Sequence, residues 1–273
     1  MEGTPIGVFD SGYGGLTVLR ELVQELPDYD FLYLGDNART PYGFRSFEVV
    51  YQFTLESVRK LFSMGCHLVI IACNTSSAKA LRTIQQNDLP KIDPHKRVLG
   101  VIRPVAEIAG LLTKSNKIGV LGTLGTINSN SYPLEINKLF PAIEVFQEAC
   151  PMWVPLIENH EYDSSGADYF VKKNLEHLIH NESSIDTIIL GCTHYPILID
   201  KIKKYLPDQI SLVSQGAIVA DRLKDYLNRH PEIETKCSKH ATTHFYTTDS
   251  TEIFNEQASI FFGQSVRSER IIL

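Results

Sequence analysis

Leu68-Val-Ile-Ile-Ala-Cys-Asn-Thr75 is an apolar run that ends on a small residue, a cysteine and a polar pair, and Thr187-Ile-Ile-Leu-Gly-Cys-Thr-His194 repeats that order. Apolar residues at successive positions, without alternation, predict a strand covered on both faces, as in a parallel sheet. Counting these two as Leu68–Ala72 and Thr187–Leu190, similar strands are predicted at Ile6–Phe9, Phe31–Leu34, Val98–Val101, Lys117–Leu121, Ile143–Phe146 and Ile210–Val213. Longer amphipathic segments lie between them. Ser46–Met64 spaces Phe47, Val50, Tyr51, Leu55, Val58, Leu61 and Phe62 by three and four residues, one stripe of a helix that Gly65 stops. Ala167–Ile179 repeats the stripe with Phe170, Val171, Leu175, Leu178 and Ile179. Strands alternating with helices predict an α/β fold with helices on both sheet faces.

The repeated strand–cysteine pattern has a companion. Ile6-Gly-Val-Phe-Asp-Ser-Gly12 is echoed by Ile118-Gly-Val-Leu-Gly-Thr-Leu124, at nearly the same offset along the chain. Two related α/β halves would face each other across a cleft, each offering the carboxyl ends of its strands. The plainer alternative is that any two parallel strands look alike. No Gly/Ser-rich linker separates the halves, so the boundaries are expected in tight crossovers near Pro94–Arg97 and Leu206–Gln209. That divides the chain into a discontinuous first domain, 1–97 plus 208–273, and a second domain, 98–207.

Composition narrows the function classes. The 273 residues are 43% apolar and 21% charged, ordinary for a globular protein with a sizeable core. Lys plus Arg number 26 against 32 Asp plus Glu, and the net charge of −6 argues against a nucleic-acid partner held through phosphates. No apolar stretch approaches the roughly 20 residues that span a bilayer, so no membrane association is expected. Met1-Glu2-Gly3-Thr4-Pro5 lacks the basic and apolar regions of a secretion signal. The expected compartment is the cytoplasm, with all five cysteines as free thiols.

Ligands of open parallel sheets bind beyond the carboxyl ends of the strands, against the following helices. Those ends carry Asp10-Ser11-Gly12 and Gly14-Gly15, then Gly35-Asp36 with Pro41-Tyr42-Gly43, then Cys73-Asn74-Thr75, and late in the chain Cys192-Thr193-His194. Four loops thus bring small, hydroxyl-bearing or titratable residues to one edge, as a small polar ligand requires. Blander readings stand beside this. Asp10-Ser11 could cap the helix beginning near Leu16. Gly12-Tyr-Gly-Gly15 is neither a dinucleotide fingerprint nor a P-loop, and its glycines could simply allow a tight turn. Cys66, Cys150 and Cys237 read as structural, as do His67, His95, His160, His177 and His180.

Cys73 and Cys192 carry the chemistry. A thiol at a strand end faces the cleft and the positive end of a helix dipole, which is expected to lower its pKa below the free value of about 8.5. Zinc held by Cys73, Cys192 and His194 is a rival, but the chain has no Cys-x-x-Cys or His-x-x-x-His pair. A redox disulfide between the two cysteines is another, though it would block the cleft they line. Two opposed thiols suit the inversion of a carbon centre, in which one takes a proton from one face and the other returns one to the opposite face. Asp10 and His194 stand where each could tune a thiol.

These residues resemble the glutamate racemases of the cofactor-independent aspartate/glutamate racemase superfamily. The resemblance rests on Asp10-Ser-Gly-Tyr-Gly-Gly-Leu-Thr-Val-Leu19, Gly35-Asp-Asn-Ala-Arg-Thr-Pro-Tyr-Gly43, Ala72-Cys-Asn-Thr-Ser-Ser-Ala78, Val154-Pro-Leu-Ile-Glu158 and Gly191-Cys-Thr-His-Tyr-Pro196, in that order. It covers residues 6 to about 223, and the tail from about Asn228 carries no motif. It implies two α/β domains related by a pseudo-twofold axis with the site in the cleft between them. It also implies interconversion of L- and D-glutamate without cofactor or metal, supplying D-glutamate for peptidoglycan, and commonly a homodimer. Cys73 and Cys192 would be the acid/base pair, Asp10 assisting the first and His194 with Glu158 the second. Asp10, Ser11, Tyr42, Gly43, Asn74, Thr75, Thr193 and His194 match substrate-binding positions. The His after the second cysteine resembles the glutamate enzymes more than the aspartate ones. An aspartate or other amino-acid racemase of the superfamily, a non-catalytic amino-acid-binding regulator and a thiol redox protein remain as alternatives. One departure is Ser214-Gln215-Gly216, where the resemblance would place an acidic residue.

Overall fold

A computed structural model describes residues 3–273. Ten strands form two sheets: β1 (Ile6–Asp10), β2 (Phe31–Gly35), β3 (Leu68–Ile71), β4 (Arg97–Gly100), β5 (Lys117–Gly122), β6 (Glu144–Ala149), β7 (Thr187–Gly191), β8 (Ser211–Val213), β9 (Thr243–Thr247) and β10 (Ser268–Arg270). All neighbours within the sheets are parallel. The six-stranded sheet runs β10-β9-β2-β1-β3-β4 and the four-stranded sheet β6-β5-β7-β8. The order β2-β1-β3-β4 is therefore matched, strand for strand, by β6-β5-β7-β8. In that match β3, which precedes Cys73, corresponds to β7, which precedes Cys192.

Sheet membership moves the expected domain limits. Arg97–Gly100 pairs with β3, so the chain leaves the first sheet after Gly100 rather than after residue 97. Ser211–Val213 pairs with β7, so it returns after Val213 rather than at 208. The tail, read as featureless, supplies β9 and β10, which extend the first sheet beyond β2.

The central strands are buried along their whole length, while the edges β6 and β8 are half-exposed. Period-two geometry sends alternate side chains to opposite faces. Ile6, Val8, Leu68 and Ile70 join a core that includes Leu16, Leu19 and Leu22 of α1 (Leu16–Glu25), whereas Phe9, Val69 and Ile71 join one that includes Val50, Val58 and Leu61 of α2 (Phe47–Ser63). Each large aliphatic or aromatic side chain so enclosed contributes about 1.5–3 kcal/mol. The helix α2 forms where the apolar stripe predicts it. The Ser46 hydroxyl accepts a hydrogen bond from the Val49 N–H at its start, and Gly65 adopts φ +102° just past its end. No helix among the described residues is long and apolar enough to cross a membrane.

Candidate active site

The carboxyl ends of β1, β3 and β7 converge on one narrow cavity between the sheets. Ser11, Tyr42, Gly43, Cys73, Asn74, Thr75, Cys192, Thr193 and His194 line it, together with Thr40, Pro41, Phe44, Thr123, Cys150, Pro151 and Val154. Its free volume is about 30 Å³, room for about two waters. Both sequence-selected cysteines are on its wall, one from each sheet. Asp10 and Glu158 do not line it, but their carboxylates bond Thr193 and His194, which do.

One glycine lets the halves meet, and a second lets its own loop fold tightly on β1. A Cβ on Gly14 would lie 2.3 Å from both His194 Nδ1 and Thr193 Oγ1, and one on Gly15 would lie 2.4 Å from Asp10 Cβ. The loop after β1 therefore packs directly against the loop after β7, which only a residue without a side chain permits. Thr17 of α1 adds a polar tie, its hydroxyl 2.9 Å from the Thr193 carbonyl oxygen. Asp10 is not the N-cap residue of α1, a position held by Gly15. Its carboxylate instead accepts from the Gly12 N–H at 2.9 Å and from the Thr193 hydroxyl at 3.3 Å. Burial raises the Asp10 pKa above its usual value, against the opposing pull of His194 and the Gly12 N–H.

Cys73 precedes α3 (Asn74–Lys79) and is 5% exposed. Its sulfur accepts from the Ser76 N–H at 3.4 Å and its thiol donates to Ser11 Oγ at 3.6 Å. The helix dipole was expected to favour the thiolate, and at Cys73 the structure reverses that expectation. Burial pushes the thiol up to about 11, and the nearby Asp10 charge adds to the rise, outweighing the Ser76 and Ser11 hydrogen bonds. Burying a thiolate costs more than one N–H of a six-residue helix returns.

Cys192 has different company. His194 Nε2 lies 2.9 Å from Glu158 Oε1, at the end of the helix Trp153–Glu158. Burial alone would lower the His194 pKa, but hydrogen bonds with Cys192 and Glu158 raise it to about 10. His194 is thus held toward its protonated form at neutral pH, set between the Cys192 sulfur and the Glu158 carboxylate. The Phe261 ring meets the imidazole edge-on at 5.2 Å. Phe261 belongs to the helix Thr251–Phe262, whose Phe254, Ala258, Phe261 and Phe262 are buried. That spacing is itself a helical stripe in the tail, the signal by which this neighbour of His194 could have been found.

Two expected ligand-binding side chains are engaged elsewhere. The Tyr42 hydroxyl donates to the fully buried Asp36, which also binds Arg39 Nε at 2.6 Å and the Thr248 hydroxyl at 2.9 Å. Tyr42 therefore offers the cavity its ring and backbone, while burial and Asp36 keep its phenol protonated. The Thr75 hydroxyl lies 2.9 Å from that of Thr123, a residue from the second sheet that sequence reasoning missed. Cys150, read as structural, sits on the cavity wall, and burial holds its thiol well above the usual range. Among the described residues no group of three or more His, Cys, Asp or Glu side chains is arranged to hold a metal ion, and all five cysteines are free thiols.

Residues 6–223 match the family described as Asp/Glu/Hydantoin racemase. The chain is 38% identical over 274 residues to the glutamate racemase of Streptococcus equi subsp. equi, covering all of both proteins. It is 41% identical to that of Enterococcus faecalis, covering 98% of this chain and 96% of the relative. Among solved structures, the glutamate racemase isoform RacE1 of Bacillus anthracis superposes with a TM-score of 0.90 at 36% identity, covering 100% of this chain and 99% of the other. The Francisella tularensis glutamate racemase in complex with D-glutamate gives 0.87 at 33% identity, covering 100% and 98%.

Proposed function

The chain belongs to the Asp/Glu/hydantoin racemase family, and on that premise we propose that it interconverts L- and D-glutamate by proton transfer at Cα between two cysteines. The observation that carries the mechanism is the convergence of Cys73 and Cys192 on one cavity from corresponding ends of β3 and β7. One sulfur, as thiolate, takes the Cα proton; the other, as thiol, delivers its own proton to the opposite face. The reverse reaction exchanges the roles, so no net proton or electron is consumed.

Each sulfur needs positive charge to reach the thiolate form. On the Cys192 side His194 provides it, and Glu158 holds the imidazolium in place. On the Cys73 side the protein provides none, and the substrate's α-ammonium group fills that role when it enters beside Asp10 and Ser11. Backbone N–H groups at Tyr42, Gly43, Asn74, Thr75 and Thr193, with the Asn74 amide, supply donors to the carboxylates. The preorganised backbone donors stabilise the carbanion as it forms, while the Asn74 amide holds a carboxylate in place. The free volume is too small for an amino acid of this size, so the two halves separate to admit it and close over it. We further read the protein as a cytoplasmic homodimer that needs neither cofactor nor metal and supplies D-glutamate for peptidoglycan. Sedimentation velocity distinguishes the dimer from a monomer.

The deciding experiment incubates the purified protein with L-glutamate in heavy water without added cofactor, following the Cα proton by NMR and optical activity by circular dichroism. Loss of both, ending in a racemic deuterated mixture, is expected. If neither changes, glutamate is the wrong substrate, and aspartate is then tested in the same way.

A further inference from the structure

A buried polar chain crosses from the second sheet into the cavity wall. Gln215, in the turn between β8 and the helix Gly216–Arg229, donates from Nε2 to the hydroxyl of Tyr132 on the helix Ser131–Leu139. The Tyr132 hydroxyl donates in turn to Asn74 Oδ1 at 2.8 Å. All three side chains are buried, at 4%, 0% and 2% exposure respectively. The direction of the chain follows from proton count. An amide nitrogen only donates, an amide oxygen only accepts, and the phenol has a single proton. With Gln215 donating to it, Tyr132 must spend that proton on Asn74 Oδ1. The other end of the Asn74 amide, Nδ2, is buried with no protein partner, and Asn74 lines the cavity. A buried N–H pair without an acceptor is unfavourable, and a bound carboxylate would relieve it.

We propose that Gln215 and Tyr132 are positioning residues that fix which end of the Asn74 amide faces the substrate, so that the cavity is offered an N–H donor rather than a carbonyl oxygen. This rests on the reading of the cavity as a glutamate-binding active site. Neither residue lines the cavity, and both act through Asn74. The relay also crosses the two halves. Asn74 follows β3 of the first sheet, whereas Tyr132 and Gln215 follow β5 and β8 of the second. The donor is therefore set only when the halves are closed. Burial keeps the Tyr132 phenol protonated, reinforced by the nearby Cys192 sulfur, so the relay holds one direction across the working pH range.

The test uses two substitutions in the full-length protein. Tyr132→Phe removes only the hydroxyl, and is expected to raise KM for glutamate on the order of tenfold with little change in kcat, because it frees the amide to turn. Gln215→Glu tests the direction itself. Ionised, the new carboxylate only accepts and takes the phenolic proton. Asn74 must then turn its N–H to Tyr132 and its oxygen to the substrate. Protonated, the carboxyl donates and restores the original order. The ratio of variant to wild-type kcat/KM is therefore expected to rise as pH falls from about 8 to about 6, burial having raised the new carboxyl's pKa.

The ionisable groups near the relay are Cys192 beyond β7, Cys73 before α3 and Glu21, which packs on Gly216. A through-space effect of the new charge on these would persist in a Tyr132→Phe/Gln215→Glu double variant, whereas the relay effect would vanish. An unchanged KM in folded Tyr132→Phe, a flat ratio for Gln215→Glu, or a pH trend that survives in the double variant overturns the proposal. If Tyr132→Phe does not fold, the ratio for Gln215→Glu alone decides. Wild-type protein that fails to exchange the Cα proton sinks the racemase reading; active wild-type protein with silent variants sinks the relay alone.

Discussion

Cys73 and Cys192 follow corresponding strands, β3 and β7, in sheets of matching order, yet their surroundings are electrically opposite. Around Cys73 are a buried carboxyl, a hydroxyl and one backbone N–H, and its thiol is pushed up to about 11. Beside Cys192 is an imidazole whose own pKa is raised to about 10 and which Glu158 braces. A duplicated backbone can thus serve a symmetric reaction with unlike neighbours, because the substrate is itself asymmetric. An amino acid brings one ammonium group, and on the reading advanced here it goes to the side that lacks a cation.

The sharpest way to break this comparison is to remove each sulfur. Cys73→Ala and Cys192→Ala are each expected to cut racemisation by at least 10²–10⁴-fold, the usual worth of a positioned acid or base, with melting curves near wild type. Wild-type rates in either variant would refute the two-base assignment. His194→Gln tests the cationic side next. A loss on the order of 10²-fold is expected, because the hydrogen-bonding cation beside Cys192 is gone.

On the other side, Asp10→Asn removes a charge that holds the Cys73 thiol up. Its pKa is expected to fall, and each unit gives about tenfold more thiolate at pH 8. Alkylation of the Cys73 peptide, followed by mass spectrometry, should accelerate accordingly; an unchanged rate would mean that burial alone sets this thiol.

A subtler contrast lies in stability against pH. The folded His194 pKa is raised from 6.5 to about 10, so its pairing stabilises the fold fully below about 6.5 and is lost as pH rises through about 10. Glu158→Gln should melt lower than wild type at pH 7 and lose less between about pH 8 and 10. Parallel melting curves for the two proteins would contradict this. The smallest effect is expected at the seam between the halves. Thr123→Ala removes the N-cap of the helix Leu124–Asn128 and the partner of the Thr75 hydroxyl, for about 1 kcal/mol in denaturant unfolding.

What the sequence made legible was whatever depends on local pattern. The central strands, the helix α2 and both strand-end cysteines follow from apolar periodicity and from where parallel sheets present their loops. Two strands, β9 and β10, escaped, the second because nothing local marks it. Ser268–Arg270 is polar and mostly exposed, and is a strand only because β9 offers it a pairing edge. Likewise β6 was expected at residues 143–146 but runs to Ala149, since its pairing with β5 carries the polar Gln147 and Glu148 along. The direction of the Cys73 shift escaped for another reason. A helix dipole can be read from adjacent residues, whereas the burial of a thiol depends on what packs across it. The Tyr42 hydroxyl was assigned to a ligand because its buried acceptor, Asp36, cannot be recognised as buried from its neighbours alone.

The pairing of Phe31 with Thr243 ties an early strand to a very late one. On a ribosome, the second sheet is contiguous and can close once Val213 has emerged, while β2 still waits for β9 and β10. Every residue proposed to move a proton will have been synthesised by then, but the helix that sets Phe261 against His194 will not. Synthesis order thus separates the two sides of the site: both thiols are made well before the helix that backs His194.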